Sequence, residues 1–149
     1  MSNKKLKLKI VTPEKLILEE EVDQVVIPTT EGEVTILPEH IAIVVGLASG
    51  DVVAFKDGEL IPMAVVGGFL EVSKDSRGYT TATVLADFAE HVGSITDDEI
   101  VKAKARAEEL NKLAENKEIV DFERFATELE RSLTRVKIAD KWRTKKYRK

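Results

Sequence analysis

Cysteine is absent from the 149 residues. That removes disulfides and thiolate metal sites from consideration. No apolar run approaches the roughly 20 residues that span a bilayer as a helix. The start, Met1-Ser2-Asn3-Lys4-Lys5, leads into alternation and not into an apolar block. A signal peptide is therefore not expected, nor is the Arg- and Ser-rich leader of organelle import. Phosphate-loop sequences are missing. The only histidines, His40 and His91, stand apart from other clustered ligand types, a poor basis for a metal site. No Ser nucleophile pairs convincingly with a His base. These absences point to a small intracellular chain without catalytic machinery. The mean hydropathy of -0.15 is ordinary for a globular protein.

What is present divides at Val84 to Thr96. Before this joint the apolar residues have a period near two; after it the period is three to four. Leu6, Leu8 and Ile10 alternate with Lys5, Lys7 and Lys9, the pattern of a half-buried strand. Further short strands are expected at Leu16–Leu18, Val22–Ile27, Val34–Leu37, Ile41–Val45, Val52–Phe55, Leu60–Val66, Phe69–Val72 and Thr80–Leu85. Pro28, Pro38 and the turn residues Lys56-Asp57-Gly58-Glu59 punctuate them. Gly67-Gly68 has no following helix and reads as a turn or bulge, not a phosphate cradle. Many short strands with no helix between them predict an antiparallel β-sandwich.

Beyond the joint, Ile100, Ala103, Ala107, Leu110 and Ala114 form a stripe on a first helix from about Asp97 to Glu115. Thr96 and Glu99 have the spacing of a capping box. A turn is expected at Asn116-Lys117-Glu118. Phe122, Ala126, Leu129, Leu133 and Val136 form a second stripe, on a helix from about Val120 to Lys141. The fold class is thus α+β: a sandwich over residues 1–91, then an antiparallel two-helix hairpin and basic tail over residues 92–149. Because the first stripe is mostly Ala, the hairpin buries little area. It must rest on the sandwich or on a partner, and leaving either costs little.

Charge is uneven. The chain is acidic up to Glu90 and basic beyond it, and Lys141 to Lys149 holds no acid. Such a tip reads either as a solvated terminus or as a surface for an acidic partner or an anion. Its footprint is small for nucleic acid, so no nucleic-acid partner is expected. Arg131 and Arg135, one turn apart, suit either a phosphate grip or ion pairs with Glu128 and Glu130.

Three motifs occur in order. Glu31-Gly32-Glu33-Val34-Thr35-Ile36-Leu37-Pro38-Glu39-His40 is similar to a Gly-x-x-Gly-Ile-Leu-Pro-x-His segment. Gly67-Gly68-Phe69-Leu70-Glu71-Val72 matches Gly-Gly-Phe-x-Glu-Val. Thr83 to Asp87 with Ala89-Glu90 resembles the end of the same β-domain. Followed by an Ala-rich hairpin, they make nearly the whole chain resemble the epsilon subunit of rotary F-type ATP synthases. Thr35 stands in place of the family's second Gly.

That resemblance implies a non-catalytic central-stalk subunit of a proton-translocating machine, peripheral on the cytoplasmic face of a bacterial plasma membrane. The sandwich would bind the gamma subunit and the c-ring, with Glu31, Gly32 and His40 toward the rotor. The hairpin would meet the beta subunit and inhibit ATP hydrolysis. The tail, somewhat longer than expected for the family, has the sign for an acidic contact there. No cofactor is required. The family's ATP site, a regulatory one, would map to Glu99, Lys102, Arg131 and Arg135, with Glu99 in place of Asp and Lys102 in place of Arg. The competing reading is a stand-alone ATP-sensing module built on the Arg face of the second helix.

Overall fold

Leu6, Leu8 and Ile10 of β1 (Leu6–Val11) are fully buried, so the alternation does mark an inward face. The computed structural model describes residues 4–115 and 121–148. Seven further strands follow: β2 (Leu16–Val22), β3 (Gln24–Thr29), β4 (Gly32–Ile36), β5 (Ile43–Gly46), β6 (Gly50–Lys56), β7 (Glu59–Lys74) and β8 (Thr80–His91). A short 3-10 turn at Val92–Ser94 leads to helices α1 (Asp97–Glu115) and α2 (Phe122–Trp142). The expected β-sandwich followed by two helices is the observed architecture.

The strands run in the order β2-β1-β8-β7-β6-β3-β4, with β5 also on β7. Every pairing is antiparallel except β1 with β8, the first strand and the last. No tight turn joins those two, so nothing in the chain imposes an antiparallel arrangement.

β7 makes the sandwich. The stretches Leu60–Val66 and Phe69–Val72, expected as two strands, are one strand bent at Gly67-Gly68. β6 pairs with Glu59–Val65 and β5 with Phe69–Val72, so one strand serves both layers. Both glycines have positive φ, 61° and 110°. A Cβ on Gly68 would collide with the Leu85 carbonyl oxygen, so the bend requires glycine there.

Several boundaries moved: β4 is Gly32–Ile36, β5 is Ile43–Gly46, and β8 continues past Leu85 to His91, into the expected joint. Val22 closes β2, and Asp23 turns the corner into β3, its carboxylate accepting from the Asp57 N–H at 2.9 Å. β3 runs through Pro28 to Thr29. The lost N–H is tolerated because β6 pairs only with Gln24–Val26. Thr35 lies in β4 opposite Val26, where glycine is not needed.

The arm packs less deeply. On α1, Ile100, Ala103, Ala107 and Leu110 are buried as the stripe predicts, while Ala114 is exposed. The capping box forms: the Thr96 N–H donates to Glu99 at 2.8 Å, and the Glu99 N–H donates to the Thr96 hydroxyl at 3.2 Å. Asp121 caps α2 by accepting from the Arg124 N–H. The expected turn at Asn116-Lys117-Glu118, with Val120 and the Phe122 side chain, lies outside the described residues. The second stripe needs correction. Ala126 is exposed, Leu133 is 48% exposed, and among the described side chains the buried apolar residues of α2 are Ile138, Ala139 and Trp142. The reason is that α2 serves two neighbours. It packs on α1, and its C-terminal half packs on the sandwich, where Ile138 and Trp142 meet Ala64 and Val92.

Candidate functional site

The seam between arm and sandwich is polar at its centre. Arg135 reaches Glu90 of β8 with both Nε (2.5 Å) and Nη2 (3.3 Å), and its Nη2 lies 3.4 Å from Glu99 of α1. One guanidinium thus ties strand, first helix and second helix together. The Thr96 backbone N–H and hydroxyl, then the Arg135 charge, hold the Glu99 carboxyl below its ordinary pKa. One turn back, the Arg131 guanidinium lies 4.8 Å from the centroid of Phe88, a cation–π geometry. Its Nε is buried without a hydrogen-bond partner among the described residues.

Of the four candidate nucleotide residues, then, Glu99 and Arg135 meet, Arg131 lies one turn away, and Lys102 is exposed on α1. Glu128 and Glu130 are not the partners of Arg131 or Arg135. Glu128 pairs with Arg106 at 2.5 Å, and Glu130 accepts from Ser49. A hollow of about 590 Å³ opens between the helices, lined by three arginines (Arg106, Arg124 and Arg131), by the carboxylates of Asp121, Glu123 and Glu128, and by Thr127. Arg106 was not legible as part of this cluster. Its signal was an Arg on α1 four positions beyond Lys102, detectable only once the two helices are aligned.

The second surface is on the sandwich. Registers place Leu16, Val11, Leu85 and Phe69 side by side across β2, β1, β8 and β7. Leu16 is 50% exposed, Leu85 45% and Phe69 58%, and Val44 on neighbouring β5 is 74% exposed. A solvated sheet face has no need of such a row, which makes it a candidate docking surface. No single strand signals it, because the row runs across strands.

The candidate rotor residues separate. Glu31 lies in the two-residue β3–β4 turn and Gly32 opens β4 opposite Thr29; the Thr30 N–H of the same turn donates to the Gly46 carbonyl. His40 lies beyond the other end of β4, its N–H donating to the Leu37 carbonyl at 3.1 Å. The length of β4, about 13 Å at 3.3 Å per residue, stands between them. They are two patches, not one. No metal-ligand cluster occurs among the described residues.

Residues 5–92 match the family model described as ATP synthase, Delta/Epsilon chain, beta-sandwich domain. The chain belongs to the ATP synthase epsilon-chain family. The ATP synthase epsilon chain of Nitratidesulfovibrio vulgaris (strain DP4) is 43% identical over 135 residues, covering 91% of this chain and 96% of that protein. That of Syntrophobacter fumaroxidans is 40% identical over 139 residues, covering 92% and 97%. Among solved structures, one of the Euglena gracilis mitochondrial ATP synthase contains a chain with a TM-score of 0.58 at 20% identity, over 91% of this chain and 78% of that one. A second, of the Tetrahymena thermophila mitochondrial ATP synthase central stalk and c-ring, gives 0.54 at 16%, over 97% and 100%. At these identities the structures carry the fold alone. Epsilon chains are non-catalytic subunits of the ATP synthase complex. As a member the chain is a peripheral part of that complex, and no described helix is long and apolar enough to cross a membrane.

Proposed function

We propose that this epsilon subunit works in the central stalk of a proton-translocating ATP synthase, on the cytoplasmic face of a bacterial plasma membrane. Residues 1–91 act as the docking platform and residues 92–149 as a separate regulatory arm. The observation that carries this is the apolar row Leu16–Val11–Leu85–Phe69, exposed except at half-buried Val11. It suits a permanent, rigid partner, and the gamma subunit is the one we assign to it. The Glu31-Gly32 turn and the His40 loop, at opposite ends of β4, each meet a different part of the rotor, one of them the c-ring. The arm reaches the beta subunit when it leaves the platform, and there it opposes ATP hydrolysis. Its small Ala-lined seam and polar anchors suit a reversible departure.

ATP is the regulatory ligand of this reading. It binds the folded arm through Arg131, Arg135 and Lys102, with Glu99 orienting Arg135. The unpartnered Arg131 Nε supports this; the hollow it borders holds Arg106 and Arg124 but also three carboxylates.

The test is an add-back assay on the ATP synthase head stripped of its epsilon subunit. The full chain slows ATP hydrolysis, and a chain ending at His91 binds without slowing it. Phe69→Glu abolishes binding while leaving the circular dichroism unchanged. If both chains bind and neither slows hydrolysis, the arm is not a brake. If neither binds, the assembly reading fails, and an ATP-sensing module is tested by nucleotide protection of the arm from protease.

A further inference from the structure

The basic tail does not project into solvent. α2 ends at Trp142, and the chain folds back so that the Lys145 N–H points at the Trp142 carbonyl, 3.3 Å away. Trp142 is only 3% exposed, packed with Ala64, Val92 and Ile138. Its indole Nε1 donates to Asp51 at 2.9 Å, and Lys141 donates to the same carboxylate oxygen at 2.7 Å. Tyr147 covers the indole edge-on, with centroids 5.6 Å apart. Arg148 then crosses to the far strands. Its backbone N–H donates to the Leu60 carbonyl at 2.8 Å, and its guanidinium reaches Glu20 of β2 at 2.8 and 3.0 Å.

We propose that Lys141 to Arg148 is an electrostatic latch that sets how often the arm leaves the platform. This rests on the platform-and-arm reading above. Asp51 and Glu20 hold Lys141 and Arg148, while Arg143, Lys145 and Lys146 stay exposed. An acidic partner that engages Lys141 or Arg148 must displace these platform carboxylates. An acidic partner surface competes for the latch, and salt weakens it. The arm meets the platform chiefly through α2, and the tail fastens the C-terminal end of α2, where Trp142 and Ile138 pack on Ala64 and Val92 beside the joint.

The readout is tryptic cleavage after Arg135 in the isolated full-length chain. Glu90 and Glu99 hold that side chain, so mere fraying of the tail does not expose it. The cleavage rate follows the open population when reclosing is fast. Arg148→Glu, at an exposed site, is expected to raise the rate about two- to fivefold, the range of a surface ion pair. A chain ending at Lys145 raises it further. Raising the salt accelerates cleavage of the unmodified chain and has a smaller effect on Arg148→Glu, with rates normalised to a short peptide substrate. Equal rates in all three chains, or an unchanged salt response in Arg148→Glu, overturn the latch. Gamma-subunit binding, measured on the same variants, decides the assembly proposal separately: a latch variant that opens and still binds gamma supports both.

Discussion

The platform and the arm are held by different forces. In the platform, Leu6, Leu8, Ile10, Ile27, Ile61, Met63 and Leu70 are fully buried in one continuous core. On α1 of the arm, two of the four buried residues are alanines. Most of its named contacts with the platform are polar: Arg135 with Glu90, Ser49 with Glu130, Trp142 and Lys141 with Asp51, and Arg148 with Glu20. Apolar burial is non-directional and scales with area. A polar contact is exchanged for hydrogen bonds to water when it opens, so its net contribution is small beside its gross strength. One chain therefore contains a part that must unfold to change and a part that can change without unfolding.

The sharpest way to break this comparison is to make the same substitution in both parts. Leu70→Ala removes a fully buried side chain where β5, β7 and β8 meet. It should cost about 2–5 kcal/mol of global stability, measured by urea unfolding. Leu110→Ala, on α1, should leave the main unfolding midpoint nearly unchanged and loosen only the hairpin, seen as faster amide exchange in α1. Equal losses from the two substitutions would mean that platform and arm unfold as one cooperative unit.

A smaller effect sharpens the boundary itself. Thr96→Ala removes the hydroxyl that accepts from the Glu99 N–H at 3.2 Å and donates to the Glu99 carboxylate. The cost should be about 1 kcal/mol of α1 stability, seen as lost helical circular dichroism on mild heating. Platform strands should keep their exchange protection.

Local chemistry was readable in the sequence, and contacts across the fold were not. Leu6, Leu8 and Ile10, the capping box of Thr96 and Glu99, and the α1 stripe rest on residues within a few positions of each other. Propensity and periodicity act on that scale. The single β7 strand was missed because Gly67-Gly68 looks like an ending. Only the paired edges of β5 and β6 show that the strand continues through it. The row from Leu16 to Phe69 depends on three registers, one of them the parallel pairing of residues 7–11 with 81–85. The second face of α2 was hidden for a related reason. A helix touching two neighbours has a broader apolar arc than one stripe describes, and Arg131 and Arg135 sit within that arc instead of on the solvated side. At the candidate site the residue types were legible, but the carboxylates that hold Arg135 were not those adjacent in sequence.

The smallest expected effect separates the two parts by acid. The Thr96 backbone N–H, followed by its hydroxyl, depresses the Glu99 pKa, and the hydrogen bond from Arg106 depresses that of Glu128, each from an ordinary value of 4.5. A carboxyl that is more acidic when folded stabilises the folded state above its unfolded pKa. The contribution is lost as pH falls through the folded value. Both groups belong to the arm: one caps α1, and the other bridges α1 and α2. As pH falls below 4.5, the hairpin should therefore loosen while the apolar core of the platform, which does not titrate, holds. The platform has acid-sensitive contacts too, since Asp23 is depressed by the Asp57 N–H and Glu39 by Lys4. These lie at exposed corners and leave the core untouched. Trp142, the sole tryptophan, reports the arm through its emission, and amide exchange of β1 and β8 reports the platform. The arm signal should move first as acid is added. Coincident loss of both signals would mean that the ion pairs of the hairpin are not what distinguishes it from the sandwich.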